Sequence, residues 1–176
     1  MPTVFTHAFV GASLAAAGPR GVPRPRLALA LAALAMLPDV DVVAFALGIP
    51  YASPLGHRGF THSVLFAAVA ALAVAHWQFR VGALPSRTGW RLCALLFLAG
   101  ASHGLLDAMT NGGLGVGFLT PFDAARFFLP WRPLQVSPIG VRDFLSGPAR
   151  RIFEGELLYV WLPVALALAL SSVRRR

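Results

Sequence analysis

Residues 90–109, WRLCALLFLAGASHGLLDAM, form an apolar run of 20 residues with one histidine and one aspartate near its end. About 20 apolar residues in a helix are enough to cross the hydrocarbon core of a bilayer. The run therefore predicts a membrane-spanning helix. His103 and Asp107 are four residues apart, so they lie on the same face of that helix.

Three further apolar runs, Leu27–Leu47, Thr61–Phe79 and Leu157–Val173, have lengths that also suit a bilayer. A shorter run at the start of the chain, Pro2–Ala17, predicts a helix too short to span comfortably. We therefore expect an all-α fold, a polytopic membrane helix bundle with four transmembrane helices plus a short N-terminal helix. It forms a single domain over residues 1–176, in which residues 111–156 are a long, partly apolar outer loop. Glu154 and Glu156 are expected to mark the outer boundary of the last span.

The composition excludes several classes of protein. Hydrophobic residues make up 57% of the chain and charged residues only 12%, whereas soluble domains are about 45–50% apolar and about 25% charged. A water-soluble globule and a disordered chain are both excluded on this basis. The single cysteine, Cys93, excludes an intrachain disulfide and leaves the redox compartment open.

The net charge of +8 comes from 15 arginines, most of them in short clusters between the apolar runs. Such clusters are typical of the positive-inside rule for membrane proteins, and they form no basic stripe for a nucleic acid. We therefore expect the bilayer as partner and no nucleic acid. Five alternating helices would place three clusters and the C-terminus on the cytoplasmic side: Arg20, Arg24 and Arg26; Arg80, Arg87 and Arg91; and Arg174–Arg176.

Ionisable side chains inside membrane spans are costly, so each one is a candidate for function. At 1.5 Å per helical residue, those in the spans lie about 18–26 Å from the inner ends of their helices, and His7 lies near the outer end of the first helix. Their shared level is near the outer interface of the membrane. The residues at this level, with His57 from the adjoining loop, are His7, Asp39, Asp41, His57, His62, His103 and Asp107.

Histidine and aspartate together are ligands that suit Zn²⁺, Mn²⁺ or Fe. We predict a site for a divalent transition metal, most simply zinc, whose candidate ligands are His7, Asp39, His57, His62, His103 and Asp107. Pro38 bends the second helix and turns Asp39 or Asp41 into the bundle. Asp41 and Arg58 are the predicted catalytic residues: one aspartate of the pair acts as base or orients a ligand histidine, and Arg58 stabilises anionic charge. His76 lies about 21 Å from His62 along its helix and is excluded.

These motifs, taken in order, resemble the YdjM-type family of bacterial inner-membrane metal-dependent hydrolases. The elements that carry the resemblance are Thr6-His7, Pro38–Asp41 (PDVD), His57–Ser63 (HRGFTHS), His103–Thr110 (HGLLDAMT) and Thr120-Pro121. The resemblance covers about residues 1–121, and HRGFTHS is its most specific element. It implies a location in the bacterial inner membrane and a metal-dependent hydrolase activity.

The order of histidines and aspartates is also distantly similar to zinc-dependent phospholipase C and the P1-type nucleases. This similarity implies a phosphoester substrate and a bridging role for Asp107 between two metal ions. The chain departs from those enzymes because it has no histidine after Asp107. The similarity therefore implies one or two metal ions rather than three.

The sequence thus predicts an integral membrane metal-dependent hydrolase that acts on a phosphoester or lipid-linked substrate, small or lipid-like, near the outer interface. A transporter or proton relay is the first alternative, but a relay requires polar groups along the whole span. The second alternative is a non-catalytic membrane protein with a structural metal or a His-Asp site. The sequence leaves open the substrate, the oligomeric state and the choice between Asp39 and Asp41, and between His57 and His62, as ligands.

Overall fold

The structure, a computed structural model, describes residues 1–80 and 86–173. These residues form helices joined by irregular loops and two isolated β-bridges, Thr110 with Leu134 and Val116 with Phe127. The α-helices are α1 (Val4–Ser13), α2 (Arg24–Met36), α3 (Val43–Ala46), α4 (Val64–Phe79), α5 (Arg87–Ala108), α6 (Val141–Leu145), α7 (Ala149–Glu156) and α8 (Leu162–Val173). Turns of 3-10 helix cover Leu14–Ala17, Leu37–Val42 and Phe60–His62, and a π-helical turn, Leu157–Trp161, joins α7 to α8.

The apolar core lies between α1, α2, α4 and α5. Leu27, Leu31 and Leu34 recur at intervals of four and three residues, so they present one face of α2 to the bundle. Leu92 and Leu96 do the same on α5, and all five leucines are buried. Small residues, among them Ala71 and Ala99, let the neighbouring helix axes approach closely.

The chain leaves regular α-helix at Pro38, as the sequence predicts. Residues Leu37–Val42 form a 3-10 turn that continues α2. A proline has no N–H and cannot extend the helical ladder. The turn brings Asp41 to a buried position, whereas Val40 between the two aspartates is exposed.

Three helical stretches are long and apolar enough to cross a membrane, rather than the four that the sequence predicts. They are Arg24–Ala46, Arg87–Ala108 and Ala149–Val173. The last begins eight residues before the predicted Leu157, because α7 precedes the apolar part without a break. This stretch packs least of the three, and none of the residues of α8, its C-terminal half, is buried within the protein.

The predicted span Thr61–Phe79 is not among these three stretches. Its helix α4 begins only at Val64 and has 16 residues, a length of about 24 Å. Ser63 is the N-cap residue and its hydroxyl accepts a hydrogen bond from the N–H of Phe66. Thr61 and His62 therefore lie in the preceding 3-10 turn, where they face the buried polar residues described below.

Arginines gather at the end of the bundle opposite those polar residues. The Arg26 guanidinium donates to the carbonyl of Gln78 and lies over the ring of Phe79, so the start of α2 meets the end of α4. Arg24 lines a hollow shared with Ser171 and Ser172 at the end of α8. The third predicted cluster, Arg174–Arg176, lies outside the described residues.

The packing of α1 on α2 at Gly11 can be tested by substitution. A Cβ atom at this position would lie 2.6 Å from the carbonyl oxygen of Leu31 and 2.7 Å from the Cβ of Ala35. We expect Gly11→Val to lower the free energy of unfolding by about 1–3 kcal/mol or more, because α1 must move away from α2.

Thermal unfolding of the detergent-solubilised protein measures this effect. Gly147→Val is the matched control, since a Cβ at Gly147 meets no atom within 4 Å. Equal unfolding midpoints for the two variants would contradict the close packing of α1 on α2.

Candidate metal centre

All eight predicted site residues meet at one end of the bundle, although they come from five separate segments of the chain. His7 is on α1, the two aspartates are in the turn after α2, and His103 and Asp107 are on α5. Six of the eight side chains belong to residues at most 4% exposed. The full set is His7, Asp39, Asp41, His57, Arg58, His62, His103 and Asp107.

Two histidines face each other across the middle of the cluster. The Nε2 atoms of His62 and His103 are 3.0 Å apart. His103 donates from Nδ1 to the carbonyl oxygen of Ala35 at 2.7 Å. A carbonyl only accepts, so Nδ1 of His103 carries the proton and its Nε2 has a lone pair. His62 Nδ1 lies 3.1 Å from Asp41 Oδ2, which fixes the same tautomer.

Two lone pairs at this separation repel unless a positive charge lies between them. A proton is one solution, because the carboxylates of Asp41 and Asp107 beside His62 stabilise its charged form. A metal cation is the other, and it would displace that proton. In a 3-10 turn, the N–H of residue 38 would donate to the carbonyl of Ala35. Residue 38 is proline and has no N–H, so this carbonyl is free to accept from His103.

Four donor atoms surround the space between the two imidazoles. A zinc ion with ligands at 2.0–2.1 Å in a tetrahedron needs donor separations of about 3.3–3.4 Å. The Nε2 of His62 is 3.4 Å from Asp107 Oδ2 and 3.9 Å from Asp39 Oδ1. The Nε2 of His103 is 3.3 Å from Asp39 Oδ1 and 4.0 Å from Asp107 Oδ2. His62, His103, Asp39 and Asp107 therefore have nearly the spacing of a four-coordinate site.

His7 adds a donor on the far side of Asp107. Its ring stacks on His103 with centroids 3.8 Å apart, and its Nε2 lies 3.6 Å from Asp107 Oδ1. Two groups of three residues each bring one potential ligand atom per residue within 4.8 Å of one another. The first group is His7, His103 and Asp107, and the second is Asp39, His57 and His62. The Oδ1 atom of Asp107 thus faces His7, and its Oδ2 atom faces His62 and His103. A bridging carboxylate needs this geometry.

Buried polar atoms without hydrogen-bond partners concentrate here. Within the part of the chain that the structure describes, such atoms are both ring nitrogens of His7, both carboxylate oxygens of Asp39 and of Asp107, and Nε of Arg58. Buried polar groups in proteins nearly always have partners, so each exception needs an explanation. Six of these seven atoms are metal-ligand types, and the residues present fit a divalent cation.

Asp41 has a different position from Asp39. Its Oδ1 accepts from His57 Nδ1 at 2.6 Å. Its Oδ2 accepts from the Thr61 hydroxyl at 2.7 Å, from the Arg58 backbone N–H at 3.1 Å and from His62. Asp41 therefore accepts hydrogen bonds from the Nδ1 atoms of His57 and His62. The Nε2 atom of each ring points away from Asp41. Of the two roles predicted for the aspartate pair, this arrangement favours orientation for Asp41 and metal ligation for Asp39.

Arg58 is fully buried and contacts Asp107, not an open surface. Its Nε is 3.0 Å from Asp107 Oδ2, while Nη2 donates to the Thr110 hydroxyl and Nη1 to the Gly112 carbonyl. The predicted role in holding a substrate oxygen thus competes with a protein carboxylate. Arg58 adopts a left-handed φ of +62°, and the next residue must be glycine because a Cβ at 59 would lie 2.2 Å from the Pro54 carbonyl oxygen.

Glu156 has a role that its position in the sequence does not indicate. This residue is 1% exposed and lies inside the helical stretch Ala149–Val173, where the sequence predicts only the boundary of a span. It accepts hydrogen bonds from the backbone N–H and hydroxyl of Thr3 and from the hydroxyl of Thr6. Trp161, in the π-helical turn that follows, donates from its indole N–H to Thr6 at 2.6 Å. These bonds fix the start of α1, and with it His7.

Arg126 is a second residue that sequence reasoning missed. Its guanidinium donates to the carbonyls of His57, Tyr51 and Ser53 and so holds the loop that carries the HRG motif. The sequence gives little indication of this role, because a single arginine in a long apolar loop resembles any surface arginine. By contrast, His76 is exposed beside Trp77 at the other end of α4, so its exclusion is confirmed.

Comparison with known proteins agrees with the motifs. The chain matches the YdjM inner membrane protein family over residues 1–176. It is 40% identical over 180 residues to the inner membrane protein YbcI of Escherichia coli (strain K12), covering 100% of both chains. No solved structure has a significant match. The chain therefore belongs to the YdjM inner membrane protein family, which confirms the predicted resemblance and the membrane location.

The Glu156 contacts can be tested by substitution. We expect Glu156→Leu to lower the free energy of unfolding by about 2–5 kcal/mol, because three buried donors lose a charged acceptor. Thermal or denaturant unfolding in detergent measures this loss. Glu154→Leu is the control, since Glu154 is exposed and pairs only with exposed Arg150; its midpoint should barely change. Similar midpoints for both variants would show that Glu156 does not anchor α1.

Proposed function

We propose that this YdjM-family membrane protein is a metal-dependent hydrolase whose centre lies toward the outer side of the inner membrane and whose substrate is a phosphoester. The observation that carries the proposal is the pair of facing Nε2 atoms of His62 and His103, beside the Asp39 carboxylate, which has no hydrogen-bond partner in the described part of the chain, and the Asp107 carboxylate, whose one cationic side-chain contact there is Arg58. A cation in this space satisfies all four groups at once. Zinc suits the donors best, and manganese or iron suits them as well.

The charges of the cluster favour a divalent ion. Three carboxylates (Asp39, Asp41 and Asp107) and the guanidinium of Arg58 leave a net charge of −2 when the histidines are neutral. Buried charge is costly unless it is balanced. One divalent ion balances it, and a second ion beside His7 would need an anionic ligand such as a phosphoester.

Each residue has a separate task in the proposed mechanism. A bound metal ion supplies a water of lowered pKa and polarises the phosphoryl group. Asp39, His62, His103 and Asp107 would hold the ion, and His7 and His57 would be further ligands. Asp41 keeps His57 and His62 in the tautomer with Nε2 free. Arg58 fixes Asp107 and offsets its charge, so it acts here as a positioning residue.

A proton relay is less well supported by the arrangement of the helices. The core between the site and the arginine-rich end consists of Leu27, Leu31, Leu92, Leu96 and neighbouring small residues. Such a core offers no chain of titratable groups through the described part of the bundle. A purely structural metal is the remaining alternative, and a test of hydrolysis separates it from the enzyme.

The metal centre is tested by elemental analysis of protein purified without added metal. We expect one or two equivalents of a transition metal in the wild type and its loss in His103→Ala and Asp107→Ala. Asp41→Asn should weaken metal affinity about 10–100-fold, as expected for a residue that orients ligands. His76→Ala is the matched control and should retain full metal.

The same samples are then assayed with phosphomonoester, phosphodiester and phospholipid substrates. Hydrolysis by the wild type and His76→Ala, but not by the metal-free variants, is the expected result. Metal-free wild-type protein, or metal retained in His103→Ala, would rule out the centre. Bound metal with no hydrolysis of any ester would leave it as a structural site.

The orientation follows from the arginine-rich end described above, which the positive-inside rule places in the cytoplasm together with the C-terminus. In a Cys93→Ser background, we expect Arg132→Cys to react with a membrane-impermeant maleimide on intact cells. Arg87→Cys should react only after the cells are permeabilised. The reverse labelling pattern would place the metal centre on the cytoplasmic side.

A further inference from the structure

A cavity of about 480 Å³ borders the metal centre. Its wall is formed by the start of α1, the turn after α2 and the segment that includes α6. The wall is almost wholly apolar, and the side chains that matter here are Pro2, Val4, Phe5, Val42, Ile139 and Phe144. Asp39 is the one ionisable side chain from the described residues in that wall, and it belongs to the cluster as well.

The cavity meets the cluster at Asp39. Asp39 has a side chain 11% exposed, whereas the side chains of His62, His103 and Asp107 are fully buried. Both oxygens of Asp39 lack hydrogen-bond partners. A molecule that fills the cavity therefore contacts the cluster from the side of Asp39.

The chemistry of the wall restricts what that molecule can be. The two polar side chains beside Asp39 are already used: the Thr3 hydroxyl donates to Glu156 and the Ser137 hydroxyl to the Pro138 carbonyl. Met1 also lines the cavity, and its amino group interacts with the charges of Asp39 and Asp107. A hydrated sugar or nucleotide would lose its hydrogen bonds to water against valine and phenylalanine without replacing them. An alkyl chain gains from the same wall.

The rim of the cavity is apolar too. Phe5 is 61% exposed and Leu145 is 69% exposed, and both line the opening. Exposed side chains of this size suit a bilayer better than water. A ligand already dissolved in the bilayer can therefore enter sideways past these two residues.

We infer that the cavity binds the alkyl chain of an amphiphilic substrate, whose phosphoester head group contacts the metal centre beside Asp39. This inference rests on the proposed function, and it narrows the substrate class to membrane-dissolved phosphoesters with an aliphatic tail. A cavity of this volume is in the range of sites for one small ligand. It holds a single chain of limited length rather than two long ones.

Binding of non-hydrolysable n-alkylphosphonates tests the inference without relying on catalysis. Radiolabelled phosphonates with chains of 2–12 carbons are equilibrated with the protein in lipid nanodiscs, and binding to empty nanodiscs is subtracted. Affinity should rise up to about fourfold for each added methylene until the cavity is full, and then level off.

Substitutions in the wall provide matched controls. Val42→Phe narrows the cavity and should lower the affinity for the dodecyl compound at least tenfold while leaving the ethyl compound unchanged. Val43→Phe is the control, because Val43 is the next residue, is 55% exposed and does not line the cavity. Ile139→Trp narrows the cavity from a segment that carries no metal ligand. Metal content and unfolding midpoint are measured for each variant.

The outcomes separate the inference from the proposed function. A chain-length dependence that disappears in Val42→Phe and Ile139→Trp but persists in Val43→Phe supports the inference. Equal affinity for short and long chains, in a protein that binds metal and hydrolyses short esters, overturns it and leaves the proposed function intact. Chain-length-dependent binding in a protein without hydrolysis retains the alkyl site and overturns the enzyme.

Discussion

The facing Nε2 atoms of His62 and His103 place the strongest constraint on this structure. The Nδ1 atom of each imidazole has a partner on the opposite side of the ring. This partner is the carbonyl of Ala35 for His103 and Asp41 for His62. Because neither ring can present a proton to the other in its neutral form, the space between them requires a positive charge. The helices α1, α2 and α5 and the HRGFTHS loop all converge on that space, so their packing and the electrostatics of the centre depend on each other.

His7, His103 and Asp107 lie on regular α-helix, whereas the other polar residues of the cluster lie on irregular backbone. Pro38 opens a 3-10 turn that separates the roles of Asp39 and Asp41, and the left-handed Arg58 followed by Gly59 turns the loop tightly. The π-helical turn after Glu156 has the same character, since it brings Trp161 to Thr6. Irregular helical turns are common at functional sites. The apolar half of the bundle, by contrast, is regular and serves as a support.

Much of the site was open to prediction because membrane burial makes ionisable residues rare and therefore informative. In a chain with seven acids, the six predicted ligands could be chosen by depth and spacing alone, and the structure brings them together. Glu156 could not be found this way. It stands next to an apolar run like any boundary residue, and its partners Thr3 and Thr6 are about 150 positions away in the sequence. The span Thr61–Phe79 was predicted too long because hydropathy does not register that Ser63 caps the helix.

By itself, the sequence determined the membrane class, the helical runs, the arginine-rich end and a set of candidate ligand residues, because apolar length, charge clusters and fixed helical spacing are local properties of the chain. Tertiary structure alone decided that Asp41 contacts His57 and His62 while both oxygens of Asp39 lack hydrogen-bond partners among the described residues, that Arg58 pairs with Asp107, and that an apolar cavity meets the polar cluster at Asp39. Those features depend on distances between segments remote in sequence. The packing of α1, α2 and α5 sets these distances, and no local pattern encodes them.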